Sequence, residues 1–398
     1  MAPNAAVNFQ ATEPSDELES TLDKMSDTKG LANFSETSGE DWTDIKHSER
    51  KKRDRLLKDN VLIGLMQKSD YEGFKRLFEN LTIMAITIYA IYSMHMLPYD
   101  PEKMTWSNLA MFIPLYIFYG FQLQCFAFAG NHEFLHGNAW KTKKYNNIVM
   151  QIVGIVCFES PKHERLMHKQ HHTYTNNIDK DPELTSFFSR EELENAKFRG
   201  VVYSRYGYLK GFFDVFYTFR CRAMRILSAA YGVPVDYSGT GWSMKTDVYA
   251  PVHVRDLAKT ARIQLLCYVA VFAIFGQTKQ GLQSIFFWWI VPVIIGYCPI
   301  NYVRNAEHAD CEVNEVNMLR NTRTVESNPI IRQLLWNTNY HVEHHCYPMV
   351  PFFNLPKLHE LMNDHAIHNE YKNFTSQNWA YVRPGGWIDE QNGRVKSE

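Results

Sequence analysis

Three groups of histidines stand out as residues that could do chemistry. His132-Glu-Phe-Leu-His136, His168-Lys-Gln-His171-His172 and His341-Val-Glu-His344-His345 lie far apart along the chain, and the last two repeat one pattern, H-x-x-H-H. With 16 His among 398 residues, a specified three-His pattern should arise by chance well under once, and twice more rarely still. Residues three and four apart on a helix share a face. The first His of each triplet therefore lies beside both members of the closing pair, and the two rings of H-x-x-x-H are neighbours. Neutral imidazole is the commonest side-chain metal ligand, and rings fixed on rigid helices converge at little ordering cost. A lone His is usually an ordinary core or surface residue. Three clusters point to metal.

The elements that must position these rings follow from composition. The net charge of -1 and mean hydropathy of -0.34 are those of a soluble protein, yet aromatics reach 14% and long apolar runs stand apart. Polar tails dilute them. Residues 1–45 are acidic, rich in Ser, Thr and Glu, and too poor in large apolar groups to fold, so 1–58 reads as a disordered tail that ends in a basic stretch over 46–58. No positively charged leader followed by an apolar run opens the chain, which predicts no cleaved signal peptide. The domain that follows, 59–398, carries apolar segments near 81–97, 109–130, 260–277 and 282–300 that suit membrane spans, the third short and extended by a snorkelling Arg262. The run at 147–158 suits a re-entrant or interfacial helix better than a span.

The positive-inside rule places the basic 46–58 stretch in the cytosol. After two crossings the chain is cytosolic again at His132, and after four it is cytosolic again at Asn301, so all three clusters fall on one membrane face. A failed crossing near Ile263 would strand the third cluster. The expected fold is an all-α integral membrane protein, with two transmembrane helical hairpins (about four spans) and a cytosolic helical domain carrying the metal site.

The three boxes, their order and their place relative to two hairpins resemble the membrane-bound fatty acid desaturase and hydroxylase superfamily. The resemblance covers roughly residues 75–370 and is strongest at Asn131-His-Glu-Phe-Leu-His-Gly137, at His168-Lys-Gln-His-His-Thr173 with the trailing Asp179-Lys-Asp-Pro182, and at Asn339-Tyr-His-Val-Glu-His-His-Cys-Tyr-Pro348. It implies two non-haem iron ions in a histidine cage at the cytosolic ends of the spans, with O2 and two electrons used on an unactivated C–H bond of a lipid.

Carried over residue by residue, it implies that His132, His136, His168, His171, His172, His341, His344 and His345 are metal ligands. His308, in Asn305-Ala-Glu-His-Ala-Asp, is a ninth. Glu133, Asp179, Asp181, Asn305 and Glu343 become candidates for fixing ring tautomers through the other ring nitrogen. His95, inside the first span, reads as a packed or pore-facing group, and His163, His253, His359, His365 and His368 read as structural. A catalytic tetrahedral zinc takes fewer protein ligands than eight or nine His, so two ions fit the count. The residues alone leave iron and zinc open, and the resemblance implies iron.

Two rivals start from the same residues. His132-Glu133-Phe-Leu-His136 satisfies H-E-x-x-H, a zinc metalloprotease pattern with Glu as general base, but that reading leaves both triplets unexplained. A non-catalytic metal-binding membrane protein would need the boxes without an access route for lipid. Within the oxygenase reading, loss of a second hydrogen gives a double bond and return of OH gives an alcohol.

The nearest string to a fused cytochrome b5 haem motif, Arg383-Pro-Gly-Gly386, lacks the haem ligand, so electrons should come from a separate cytochrome b5-type or ferredoxin-type protein. His341 opens the third box where front-end desaturases carry Gln, which argues against a front-end role. No Gly-rich dinucleotide fingerprint and no nucleic-acid signature appears. Seven Cys without a C-x-x-C pair make a disulfide framework improbable, and the glycosylation-type strings at Asn33, Asn80 and Asn373 fall on the cytosolic side. The segment 212–231, with Arg220, Arg222 and Arg225, suits a helix at the membrane interface or one packed on the metal domain. The closing Arg-Val-Lys-Ser-Glu loosely suggests retrieval to the endoplasmic reticulum.

Overall fold

The computed structural model describes residues 57–97, 100–177, 181–183, 215–234, 250–308, 311, 315–362 and 373–383. The chain divides into two units, residues 1–64 and 65–398. In the first, the described residues open helix α1 (Asp59–Leu65). The expected disordered tail before it, like Asp179, His365, His368, Asn33 and the residues after 383, lies outside the described residues.

Among the described residues of the second unit every regular element is helical. Helix α2 (Asp70–Ser93) starts where Ser69 accepts a hydrogen bond from the backbone N–H of Glu72, with Asp70 and Glu72 in the first turn. Such an N-cap satisfies an orphan donor, and early acidic residues complement the helix dipole. Helix α3 (Trp106–Cys125) is capped the same way by Thr105, and runs through a five-residue π-helical segment, Phe126–Gly130, into α4 (Asn131–His136). Gly137, at φ 67°, ends it in the left-handed conformation that glycine adopts without strain.

Helices α5 (Lys143–Cys157) and α6 (Pro161–Tyr174) follow, then α7 (Val215–Tyr231) and α8 (Pro251–Phe275). The last apolar run is α9 (Lys279–Ile285), a second π-helical segment at Phe286–Ile290, α10 (Val291–Ile295) and α11 (Tyr297–His308). Shorter helices finish the unit: α12 (Met318–Asn321), α13 (Pro329–Leu334), α14 (His341–Cys346), α15 (Leu355–Met362) and α16 (Phe374–Val382).

Three continuous helices, Trp106–His136, Pro251–Phe275 and Lys279–His308, are long and apolar enough to cross a membrane. The third expected segment is therefore not short, because it extends back to Pro251. The first expected segment, 81–97, differs. Its helix begins at Asp70 with a charged opening stretch (Asp70, Glu72, Lys75, Arg76, Glu79) and ends at Ser93, so it lacks the uninterrupted apolar length of the other three. His95 consequently sits in the turn beyond the helix, at φ 52°, and not within a span.

Two contacts fix the bundle. A Cβ on Gly296 would come within 2.1 Å of the backbone oxygen of Gly120, so α3 and the α10–α11 junction approach as closely as glycine alone permits. Beside this crossing, Tyr119 donates to Trp288 O (3.0 Å) and Gln124 to Val293 O (2.8 Å). The run at 147–158 forms the end of α5, whose 15 residues span about 22 Å, short of a bilayer core. Its final carbonyls accept hydrogen bonds from the spans: Gly154 O from Gln264, Ile155 O from Tyr268 and Val156 O from Trp289. A helix end inside the bundle is thus satisfied by side chains.

Candidate metal centre

All nine expected histidines fall into two groups. His132, His136, His168, His172 and His344 present ring nitrogens within 4.8 Å of one another, and so do His171, His308, His341 and His345. In the first, Nε2 of His136 lies 2.9 Å from that of His168 and 3.2 Å from that of His172, and His344 Nε2 is 3.2 Å from both His136 and His172. In the second, His308 and His341 are 3.0 Å apart, His341 and His345 3.1 Å, and His171 and His345 3.3 Å, again between Nε2 atoms. The groups adjoin, with the rings of His172 and His345 stacked at 4.2 Å.

The helical period decides the partition. In each H-x-x-H-H the first and last His are separated by a full turn and share a group, His168 with His172 and His341 with His345. The middle His, rotated onto the adjoining face, joins the other group: His171 the second, His344 the first. Each triplet therefore contributes to both groups. His132 and His136 follow the Phe126–Gly130 segment, where the wider π turn inserts a residue and rotates what comes after.

The donor set fits metal ions. Nitrogens about 2.1 Å from a shared centre are separated by about 3.0 Å at right angles and about 3.4 Å in a tetrahedron, the spacing seen here. A hydrogen bond can join two such nitrogens but not five. Burial, and then the neighbouring imidazoles, hold His172, His341, His344 and His345 well below the usual imidazole range, so their lone pairs are available. His171 differs. Burial acts to lower it, but Asp181 and Glu183 together raise it to about 9.

The opposite ring edges are held from outside. Asp181 accepts from Nδ1 of His171 at 3.0 Å and from the backbone N–H of Asn176 at 2.7 Å. Glu183 accepts from Nδ1 of His168 at 3.0 Å, and Arg304 lies 3.5 Å from its other oxygen while covering the Phe128 ring at 4.7 Å. Thr175 Oγ1 is 3.3 Å from Nδ1 of His345, and Asn321 O accepts from Nδ1 of His308 at 3.1 Å. Such contacts fix the tautomer and orientation of a ligand ring.

A match to the fatty acid desaturase family covers residues 105–376, about two thirds of the chain and all nine of these histidines. This protein belongs to the fatty acid desaturase family. No curated protein matches the sequence. Family membership makes this desaturase-family protein an oxidoreductase and, with its apolar helices, a multi-pass membrane protein.

Of the other expected residues in this family member, Asp181 holds a clustered ring, and Asn305 is buried one turn before His308. Glu343 reaches no clustered ring. It accepts from Thr324 Oγ1 and from Nδ1 of His359, both at 2.6 Å. Glu133 Oε2 accepts from the backbone N–H of Phe352 at 3.2 Å, and Oε1 lies 3.9 Å from Nδ1 of His344, on the edge facing away from the shared centre. Glu183, Thr175, Arg304 and Asn321 were not legible as site residues. The trailing Asp179-Lys-Asp-Pro182 string stops one residue short of the first. Glu307 was missed too, and its Oε2 lies 3.8 Å from Nε2 of His341.

Proposed function

We propose that this protein is a membrane di-iron oxygenase that uses O2 and electrons from a separate donor to desaturate a lipid chain. One observation carries the reading: nine Nε2 atoms gathered into two adjoining groups at metal-ligand spacing. The nine histidines would hold two iron ions, and these would supply the reduction of O2 and the attack on an unactivated C–H bond. Desaturation removes two hydrogens from the chain and consumes O2, two electrons and two protons, leaving two waters. The residues outside the ligand set orient the rings through Asp181, Glu183, Thr175 and Asn321, and the buried site excludes water. Hydroxylation of a lipid or specialised metabolite on the same scaffold is the neighbouring outcome, set by substrate placement.

The metalloprotease reading is disfavoured because Glu133 faces the outer edge of His344 and a backbone N–H, away from the Nε2 side where a general base would act. In the proposed arrangement residues 59–398 form the catalytic domain. α2 completes a first hairpin, giving four crossings, and the metal site faces the cytosol from the endoplasmic reticulum membrane. A cytochrome b5-type or ferredoxin-type protein delivers electrons.

The test is expression in a host with a b5-type donor, with iron analysis and lipid mass spectrometry of wild type and His344→Ala. A loss of about two mass units denotes desaturation and a gain of about sixteen hydroxylation. Iron-loaded protein without any lipid product would overturn the proposal.

A further inference from the structure

A second set of buried polar groups lies inside the bundle, away from the histidines. Gln124 on α3 and Tyr297 on α11 are fully buried, at 0% exposure, while Glu159 at the end of α5 and Arg222 on α7 are 4% and 8% exposed. Contacts close these four into one level of the structure. The Arg222 guanidinium pairs with Glu159 and sits 4.4 Å over the Tyr297 ring. Gln124 donates to Val293 O, one turn before Tyr297. Cys157, next to the Glu159 segment, donates to Leu123 O beside Gln124. Arg222 and Arg225 thus turn inward, Arg225 meeting Glu164 at 2.8 Å, in place of a row of arginines at the lipid surface.

Ionisable groups among apolar spans are costly and are retained where they do something. Here the pair leaves capacity over. Glu159 Oε2 has no hydrogen-bond partner among the described residues, and Tyr297 Oη and Gln124 Oε1 have none beyond one another. An unpaired buried polar group is destabilising unless something satisfies it. Two helix rulers give the distance to the metal groups. Gln124 precedes His132 by two turns, about 12 Å, and Tyr297 precedes His308 by three, about 16 Å.

We propose that Glu159, Arg222, Tyr297 and Gln124 form a recognition site for a hydroxyl group of the lipid substrate, about 12–16 Å along the helices from the histidine groups. The hydroxyl donates to Glu159 Oε2 and accepts from Tyr297 Oη. The charge balance selects a neutral group, because Glu159 already neutralises Arg222 and its free oxygen repels a carboxylate or phosphate. This deepens the oxygenase reading by assigning the substrate to hydroxylated lipids, and it rests on that reading only for the reaction at the metal end.

The experiment measures binding without turnover. Full-length protein in lipid nanodiscs is titrated with radiolabelled hexadecan-1-ol, and unlabelled hexadecan-1-ol, hexadecanoic acid and hexadecane compete. Wild type should hold the alcohol at least about tenfold more tightly than the acid or the alkane. Tyr297→Phe keeps the ring beneath Arg222 and should cut that preference to about threefold or less, and Glu159→Gln should act in the same direction. Comparing variant with wild type cancels partitioning into the nanodisc. Equal competition by all three probes, a preference for the acid, or a preference untouched by Tyr297→Phe would each overturn the proposal. If the alcohol preference holds but iron-loaded protein yields no lipid product, the oxygenase reading fails and the hydroxyl site stands.

Discussion

Glu183 Oε1 lies 3.0 Å from Nδ1 of His168, on the ring edge opposite the nitrogen that joins the first histidine group. The same carboxylate meets Arg304, which belongs to the helix carrying His308 and covers Phe128 in the segment that leads to His132. Three histidine-bearing elements therefore meet through one carboxylate. Glu183→Gln should weaken Co(II) or Fe(II) binding about 10–100-fold, read by equilibrium dialysis. Arg304→Met should act more weakly in the same direction, because it works through Glu183. The double variant should fall short of the sum. Unchanged metal affinity in Glu183→Gln would contradict this role.

The interleaving of the two triplets makes a separable prediction. His172→Ala removes a nitrogen from the first group only, and His171→Ala one from the second only. Each should lower metal content from about two ions per chain toward about one, measured by mass spectrometry of the purified protein. The two variants should lose different ions, so their Co(II) spectra should differ. Identical spectra, or complete loss of metal from both, would mean that the groups act as one site.

Packing predicts a stability effect remote from the metal. The Cβ of Gly296→Ala would fall 2.1 Å from Gly120 O, a rigid backbone atom, so α3 and α11 must separate. Overpacking of this kind costs about 1–3 kcal/mol, visible as a lower Tm in detergent. The continuous helix that α3 begins carries His132 and His136, and α11 carries His308, so metal content should fall with it. An Ala variant as stable as wild type would show that the helices do not meet here.

Much of the site was legible because a helix turns spacing into a face. The boxes gathered as their three- and four-residue intervals required, and His308 joined them from a fourth element. The allocation of each ring to a group was not legible, since it depends on which helix faces meet, and those faces come together from distant parts of the chain. The tautomer-fixing partners were hidden for the same reason: Asn321 reaches His308 across a loop, and Arg304 reaches Glu183 across the bundle. Apolar runs were found, but their ends moved. Pro251 starts a helix well before its apolar stretch, while Ser93 ends one before the apolar residues stop. The π-helical segments have no signature in composition.

Glu133 offers the sharpest separation between oxygen and hydrolytic chemistry. Its carboxylate is completely buried, accepts from the Phe352 backbone N–H, and approaches His344 only at the outer ring edge. Glu133→Gln keeps an oxygen that can accept from Phe352, so the loop and the rings it supports should stay in place. Metal content should remain about two ions per chain, and lipid product formation should fall by no more than about tenfold. A hydrolytic enzyme would lose its general base and with it at least about 100-fold in rate. Near-complete loss of lipid product with full metal content would assign Glu133 a direct part in the reaction, against the geometry described above.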